Sequence, residues 1–245
     1  IDVPANGASG VILDGMSGGF DGLTITGTAV EIRGLSITGF ETAINFGVGG
    51  GGTVGGGANA YGNLIYLNNA YGIQVISAAS VVIQGNYIGT DSTWADLGNG
   101  NHGIYINNAS ASVQVGGNMH AGEANYIGFN RSPMVVDTGA VNIYGNYIGT
   151  NQNGDNLSND GSGISLAGAG NVNVGLSTYG NGNVIGDGGI SFAKTVGTST
   201  IKGNFIGTTY DAGVWRDLSP AGHGIVISGA GTLTVGGLSV GSAHS

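Results

Sequence analysis

A chain of 245 residues with 53 glycines, 3 prolines and no cysteine has room for one large domain or a repeat array, and the lack of thiols excludes disulfide staples and thiolate metal sites. A net charge of -9 with only five lysines and arginines excludes the basic stripe that tracks a nucleic-acid backbone or an anionic membrane surface, and no run is long and apolar enough for membrane insertion. Glycine at this level without a Gly-X-Y period is not collagen; with 40% hydrophobic residues in short aliphatic runs, it predicts an ordered, repetitive core that offsets the entropy glycine loses on folding.

The chain begins at Ile1 rather than Met, as expected where a leader has been removed or the sequence is part of a longer protein. Residues 1–30 predict an atypical first coil, with strands at 11–13 and 23–25, since terminal repeats commonly depart from the consensus. Residues 31–37 repeat the pattern of 82–88, with Leu35 in the slot of Asn86. From there an Asn-x-Ile triplet recurs, starting at Asn63, Asn86, Asn125, Asn146, Asn183 and Asn204. It lies within Gly-Asn-Tyr-Ile-Gly-Thr at 85–90 and 145–150, and recurs with Phe205 for the tyrosine at 203–208.

Short and long spacings between triplets alternate. The short ones suit a bare coil of three strands; the long ones predict inserted loops at 90–102, 150–162 and 208–223. After each loop comes a Gly-Ile strand, at 103–106, 163–166 and 224–227, and then a Val-Gly element ending at Gly117, Gly175 and Gly237. Strands this short, punctuated by Gly and Asn and without a 3.6-residue period, exclude helices. Reappearance of one triplet at one place in each unit predicts stacking, with like residues superposed at the strand spacing of about 4.8 Å.

The expected fold is all-β: a right-handed single-stranded parallel β-helix, one solenoid domain over 1–245 with about eight three-strand coils. Ile65, Ile88, Ile127, Ile148, Ile185 and Ile206 should form one inward column, and Ile73, Ile104, Val135, Ile164, Ile190 and Ile225 another, as β-branched residues suit a stacked pleated surface. The six asparagines should form a turn ladder, each amide bonding the next. The sequence stops at Ser245 where another Asn-x-Ile strand is due, so a longer solenoid, or end-to-end cover by another subunit, is expected.

The run Gly-Asn-Tyr-Ile-Gly-Thr, a polar loop with Leu97-Gly98-Asn99, then Gly-Ile-x-Ile and Val-Gly-Gly, resembles secreted prokaryotic right-handed parallel β-helix repeat proteins of the pectate-lyase-like fold group. The resemblance covers about residues 30–245 and implies an extracellular or cell-surface location. That group holds polysaccharide lyases, glycosidases, adhesins and surface proteins, so it speaks for fold more than for function. The expected function is a structural or adhesive module that binds polysaccharide or another protein surface, or assembles end to end. The alternative is a carbohydrate-active enzyme, a polysaccharide lyase or glycoside hydrolase. Lyases of this fold set clustered acids on calcium and use Lys or Arg as base. Here Arg33, Arg131, Lys194, Lys202 and Arg216 are scattered, and the register gathers no carboxylates beside them.

Two sets of residues are candidate ligand sites. If the isoleucines point inward, the central residues of the triplets point outward, which places Tyr87, Tyr126, Tyr147 and Phe205 in one stripe, in line with Leu64 and Val184. Such rings, with Trp94 and Trp215 in the loops, suit stacking on sugars; loops folding back with Leu97, Leu157 and Leu218 would instead cover them. The loops also hold Asp91 and Asp96, Asp155 and Asp160, Asp211 and Asp217, oxygen ligands of the type calcium takes, although Asp in such loops commonly holds turns. No other cofactor is expected. His102 and His223 occupy equivalent loop-end slots without ligand spacing.

Overall fold

Short β-branched and aromatic runs bounded by glycine and asparagine form parallel strands in the computed structural model. It describes residues 11–57, 62–168, 170–178, 180–211, 214–218 and 223–236, with backbone alone at 109–111, 210–211 and 214–216. The chain passes repeatedly through three columns of strands. The first column is Val11–Asp14, Leu35–Thr38, Leu64–Ile65, Tyr87–Ile88, Tyr126–Ile127, Tyr147–Ile148, Val184–Ile185 and Phe205–Ile206, an 8-stranded sheet in that order. The second and third columns share a 14-stranded sheet, because His102–Val115 and Ser132–Ile143 run through both without a break. All pairings along the columns are parallel, and each joins a strand to its equivalent in the next circuit. The described residues make eight such circuits, and helix is confined to one short 3-10 turn, Met119–Ala121.

The first inward column is as the triplets predict. Ile37, Ile65, Ile88, Ile127, Ile148, Ile185 and Ile206 pair in sequence, and the first six have no exposed surface. Leu35 does occupy the asparagine slot: its N–H donates to Asn63 Oδ1 at 3.1 Å, as Asn63 N–H donates to Asn86 Oδ1. The second column runs Ile73, Ile104, Met134, Ile164, Ile190, Ile225 and therefore not through Val135. Three consecutive apolar residues, Met134, Val135 and Val136, carry no alternation from which to choose a face. The pairing of His102 with Ser132 sets the register and turns Val135 outward, opposite Tyr105 and Ser165; a shift by one residue reverses every face.

The asparagines form a continuous ladder, buried from Asn63 to Asn183. Each Nδ2 donates to the next Oδ1, from Asn63 to Asn86, Asn125, Asn146, Asn183 and Asn204, at 2.8–3.0 Å. Asn125 shows why the residue type is required: its Oδ1 accepts from the N–H and Nδ2 of Asn86, while its own Nδ2 donates to Ile83 O and Asn146 Oδ1. Every polar group of a side chain with no exposed surface is thereby paired, as burial demands. The preceding turn must be glycine: Gly116 has φ 81, and a Cβ there would collide with Tyr144 O and the Asn146 amide.

A second ladder, at the turn between the first and second columns, was not assigned from the triplets. Asn68, Asn99, Asn130 and Asn159 follow at intervals of 31, 31 and 29 residues, and Asp187 ends it among the described residues. The inserted loops leave and rejoin at this turn. Leu97 N–H donates to Gly89 O at 3.1 Å, Leu157 N–H to Gly149 O at 3.0 Å, and Leu218 N–H to Gly207 O at 3.0 Å. One backbone bond thus splices each insertion out of the circuit, and Asn99 or Asn159 then re-enters the ladder. The third insertion is not wholly irregular, since Thr208–Asp211 and Val214–Asp217 pair as an antiparallel hairpin.

Replacing Asn125 by alanine strands Asn86 N–H and takes one bond each from Asn86 Nδ2 and Ile83 O, which keep Val54 O and Gln84 O, and Gly116 N–H, as partners. The expected loss of stability is about 1–3 kcal/mol, the cost of one stranded buried group, at or below that of Ile127→Ala at about 2–5 kcal/mol. Urea unfolding measures both; an Asn125→Ala change within about 0.5 kcal/mol, the range of ordinary surface substitutions, would show that the ladder adds nothing.

Candidate functional site

The outward residues of the triplets do come together, but they spend their faces on one another. Tyr87, Tyr126 and Tyr147 are in register, with ring centroids 5.1 and 5.0 Å apart and planes inclined by 16° and 4°. Stacked in this way, the rings offer only their edges to the surroundings. Trp94, from the loop at 90–102, lies across those edges, 5.8 Å from Tyr87 and 5.0 Å from Tyr126 at 47° and 60°. Burial pushes the Tyr87 and Tyr126 phenols above their ordinary value, with nearby Asp91 adding to the effect at Tyr87 and the flanking tyrosines at Tyr126. Val184 interrupts the ring column, and Phe205 follows one circuit beyond it. The side chain of Trp215 lies outside the described residues.

The loop acids work within their own turns. Asp91 Oδ1 accepts from Thr93 N–H, Thr93 Oγ and Ala95 N–H at 2.8, 2.7 and 3.2 Å. These bonds lower its pKa against the opposing effect of partial burial, and they hold the turn in which Trp94 adopts φ 64. In the second loop Asn151 takes that place, accepting from Asn153 and Asp155 N–H, while Asp155 accepts from Asn151 Nδ2 at 2.8 Å. Asp96, Asp160 and Asp217 are exposed, and the side chain of Asp211 lies outside the described residues. Equivalent loops sit two layers apart, about 10 Å by the strand spacing, too far to share one ion. Among the described residues no three acid or histidine side chains converge as metal ligands.

A different cluster forms on the outward face of the second column. Tyr71 lies in the third circuit, His102 and Tyr105 in the fourth, and the pairing of Ile73 with Ile104 brings them side by side. Ring centroids are 5.5 Å apart for Tyr71 and His102, 5.4 Å for Tyr71 and Tyr105, and 5.6 Å for His102 and Tyr105, with planes inclined by 30°, 20° and 23°, so these rings are stacked as well. All three are half-buried. Tyr105 Oη donates to Asp137 Oδ2 at 2.6 Å from the next circuit, and that bond, with burial second, pushes its phenol up to about 12. Burial lowers the His102 pKa, Asp137 opposing and Arg131 assisting, so the ring is neutral near neutral pH. His102 Nδ1 is buried and has no protein partner.

The cluster therefore combines ring surface, a fixed phenol–carboxylate pair and a neutral imidazole. None of its four members belongs to the triplets. His102 reads as a loop end and Tyr105 as one outward strand position among others. The signal available in sequence was two aromatics in the same slot of successive Gly-Ile strands, at 71 and 102.

Asp137→Asn is expected to bring the Tyr105 phenol down from about 12 toward the ordinary tyrosine value of about 10, because ionising Tyr105 no longer places two negative charges together. A Tyr105 Cζ titration by NMR reads this directly; an unmoved midpoint would show that the pair does not control the proton.

No protein-family model matches the chain, and neither the curated proteins nor the solved structures compared with it give a significant match.

Proposed function

We propose that this chain is a right-handed single-stranded parallel β-helix acting outside the cell or at its surface, as a structural and adhesive module that holds polysaccharide. The handedness rests on the connection between successive strands of one column, a crossover between parallel strands, which is right-handed in about 98% of sheets. The location rests on composition, an acidic chain rich in glycine and small polar residues. The binding reading rests on one observation: Tyr105, tied to Asp137 at 2.6 Å, stands beside the rings of Tyr71 and His102.

A sugar ring has an apolar face and a rim of hydroxyls. Aromatic surface takes the face, and polar groups already held in place take the rim without further loss of freedom. The ring column of Tyr87, Tyr126 and Tyr147 serves the rod instead, because Trp94 also lies across its edges. A surface built on stacked strands is rigid, so little ordering is lost on binding.

A polysaccharide array, scored for binding and for cleavage with and without calcium, tests this reading. The expected result is binding without cleavage, weakened about tenfold in Kd by Tyr71→Ala or Tyr105→Ala and unchanged by Tyr126→Ala, which costs stability only. An array without any ligand, or affinity indifferent to Tyr71 and Tyr105, would remove the reading; cleavage of the bound glycan would replace it with the enzymatic one.

A further inference from the structure

The second ladder ends on a carboxylate where its earlier rungs carry amides. At Asn130 the amide does two things. Its oxygen accepts from Asn99 N–H and Nδ2, at 3.2 and 2.8 Å, and its Nδ2 donates to Ile88 O and Gly128 O, at 3.1 and 2.9 Å. Asp187 reproduces the first function, since its Oδ2 accepts from Asn159 N–H. It lacks the hydrogen needed for the second. Its Oδ1 lies against Gly149 just as the Asn130 amide lies against Gly89, and there it is buried without a hydrogen-bond partner, in a residue 5% exposed.

We propose that Asp187 is a proton-binding rung that makes the anchorage of the loop at 150–162 sensitive to pH. Protonated, its carboxyl supplies the missing donor and closes the ladder. Ionised, it still accepts from Asn159 N–H but leaves a buried charge without a donor on Oδ1, a cost that is relieved when the loop, which rejoins the circuit through Asn159, opens and lets water reach the carboxylate. Burial, opposed by the bonds from Asn159, raises its pKa to about 6.

The surroundings favour the neutral form. Asp187 lines a cleft of about 440 Å³ together with Ser158 to Ser162, Ser191 and His223. The loop contributes the carboxylate of Asp160 to the same cleft. Among the described residues, His223, just before the second-column strand of the eighth circuit, is the other titratable group there, and no lysine or arginine lines the cleft. Both Asp160 and His223 are exposed and screened by water, so neither replaces the missing donor.

The folded chain holds this proton more tightly than an unfolded aspartate with its ordinary value of about 4. The stabilisation is therefore complete below about pH 4 and is lost as pH rises through about 6. Asparagine at this position restores the donor at every pH.

The test compares urea unfolding of the native chain and Asp187→Asn, near pH 4.5 and near pH 7.5. Asp187→Asn is expected to be the more stable at the higher pH, and its advantage in folding constant should shrink on the order of twentyfold at the lower. Asp160→Asn and His223→Gln should leave the native chain's pH dependence in place. In parallel, limited proteolysis of the native chain should cut within 150–162 several times faster near pH 7.5 than near pH 5, and Asp187→Asn should abolish the difference. An Asp187→Asn variant with the native pH dependence, or loop cleavage indifferent to pH, would overturn the proposal.

Discussion

A side-chain amide buried away from water must have all its hydrogen-bonding groups met, and in this chain the group that meets them is the same amide one layer away. That reciprocal requirement locks the layers together. Asn125 joins Asn86 below and Asn146 above, so a circuit displaced by even one residue would strand donors on both sides. Hydrophobic columns alone would tolerate slippage, since Met134, Val135 and Val136 can each face inward. The directional amides remove that freedom.

Because register is held at the turns, the segments between them are free to vary. The three insertions leave and return through one backbone bond each, at Gly89, Gly149 and Gly207, and their contents differ widely. The first carries Trp94 over the tyrosine column, the second a turn held by Asn151, the third an antiparallel hairpin. The turn acids that resemble calcium ligands in composition are consumed in shaping these excursions. Stacking also governs the outer surface. Rings in equivalent slots meet face to face at about the layer spacing, so repetition builds the tyrosine stripe, and the same stacking brings Tyr71 and His102 together with Tyr105 beside them.

The lone fully buried lysine among the described residues fits the same pattern of local departure. Lys194 has no exposed surface and lies beneath a turn lined by Gly229 and Gly231, with its Nζ donating to Ala167 O at 3.4 Å. Burial lowers its pKa. Glycine in the neighbouring circuit lets the chain close on this turn, since a Cβ at Gly229 would meet the Lys194 backbone N and O.

By itself the sequence determined the all-β class, the parallel columns reached through the Asn-x-Ile triplet, the first inward isoleucine column and the asparagine ladder. These are legible because stacked repetition turns spatial equivalence into identity along the chain: one residue type at one phase. The tertiary structure alone decided the face of Val135, the second ladder and its carboxylate end, the consumption of the tyrosine faces, and the meeting of Tyr71, His102, Tyr105 and Asp137. The second ladder has a period near thirty residues, yet its neighbours differ at each rung and conceal it. The rest depends on contacts between unlike residues in adjacent layers, where geometry and hydrogen-bond direction choose the partner and no recurring motif announces it.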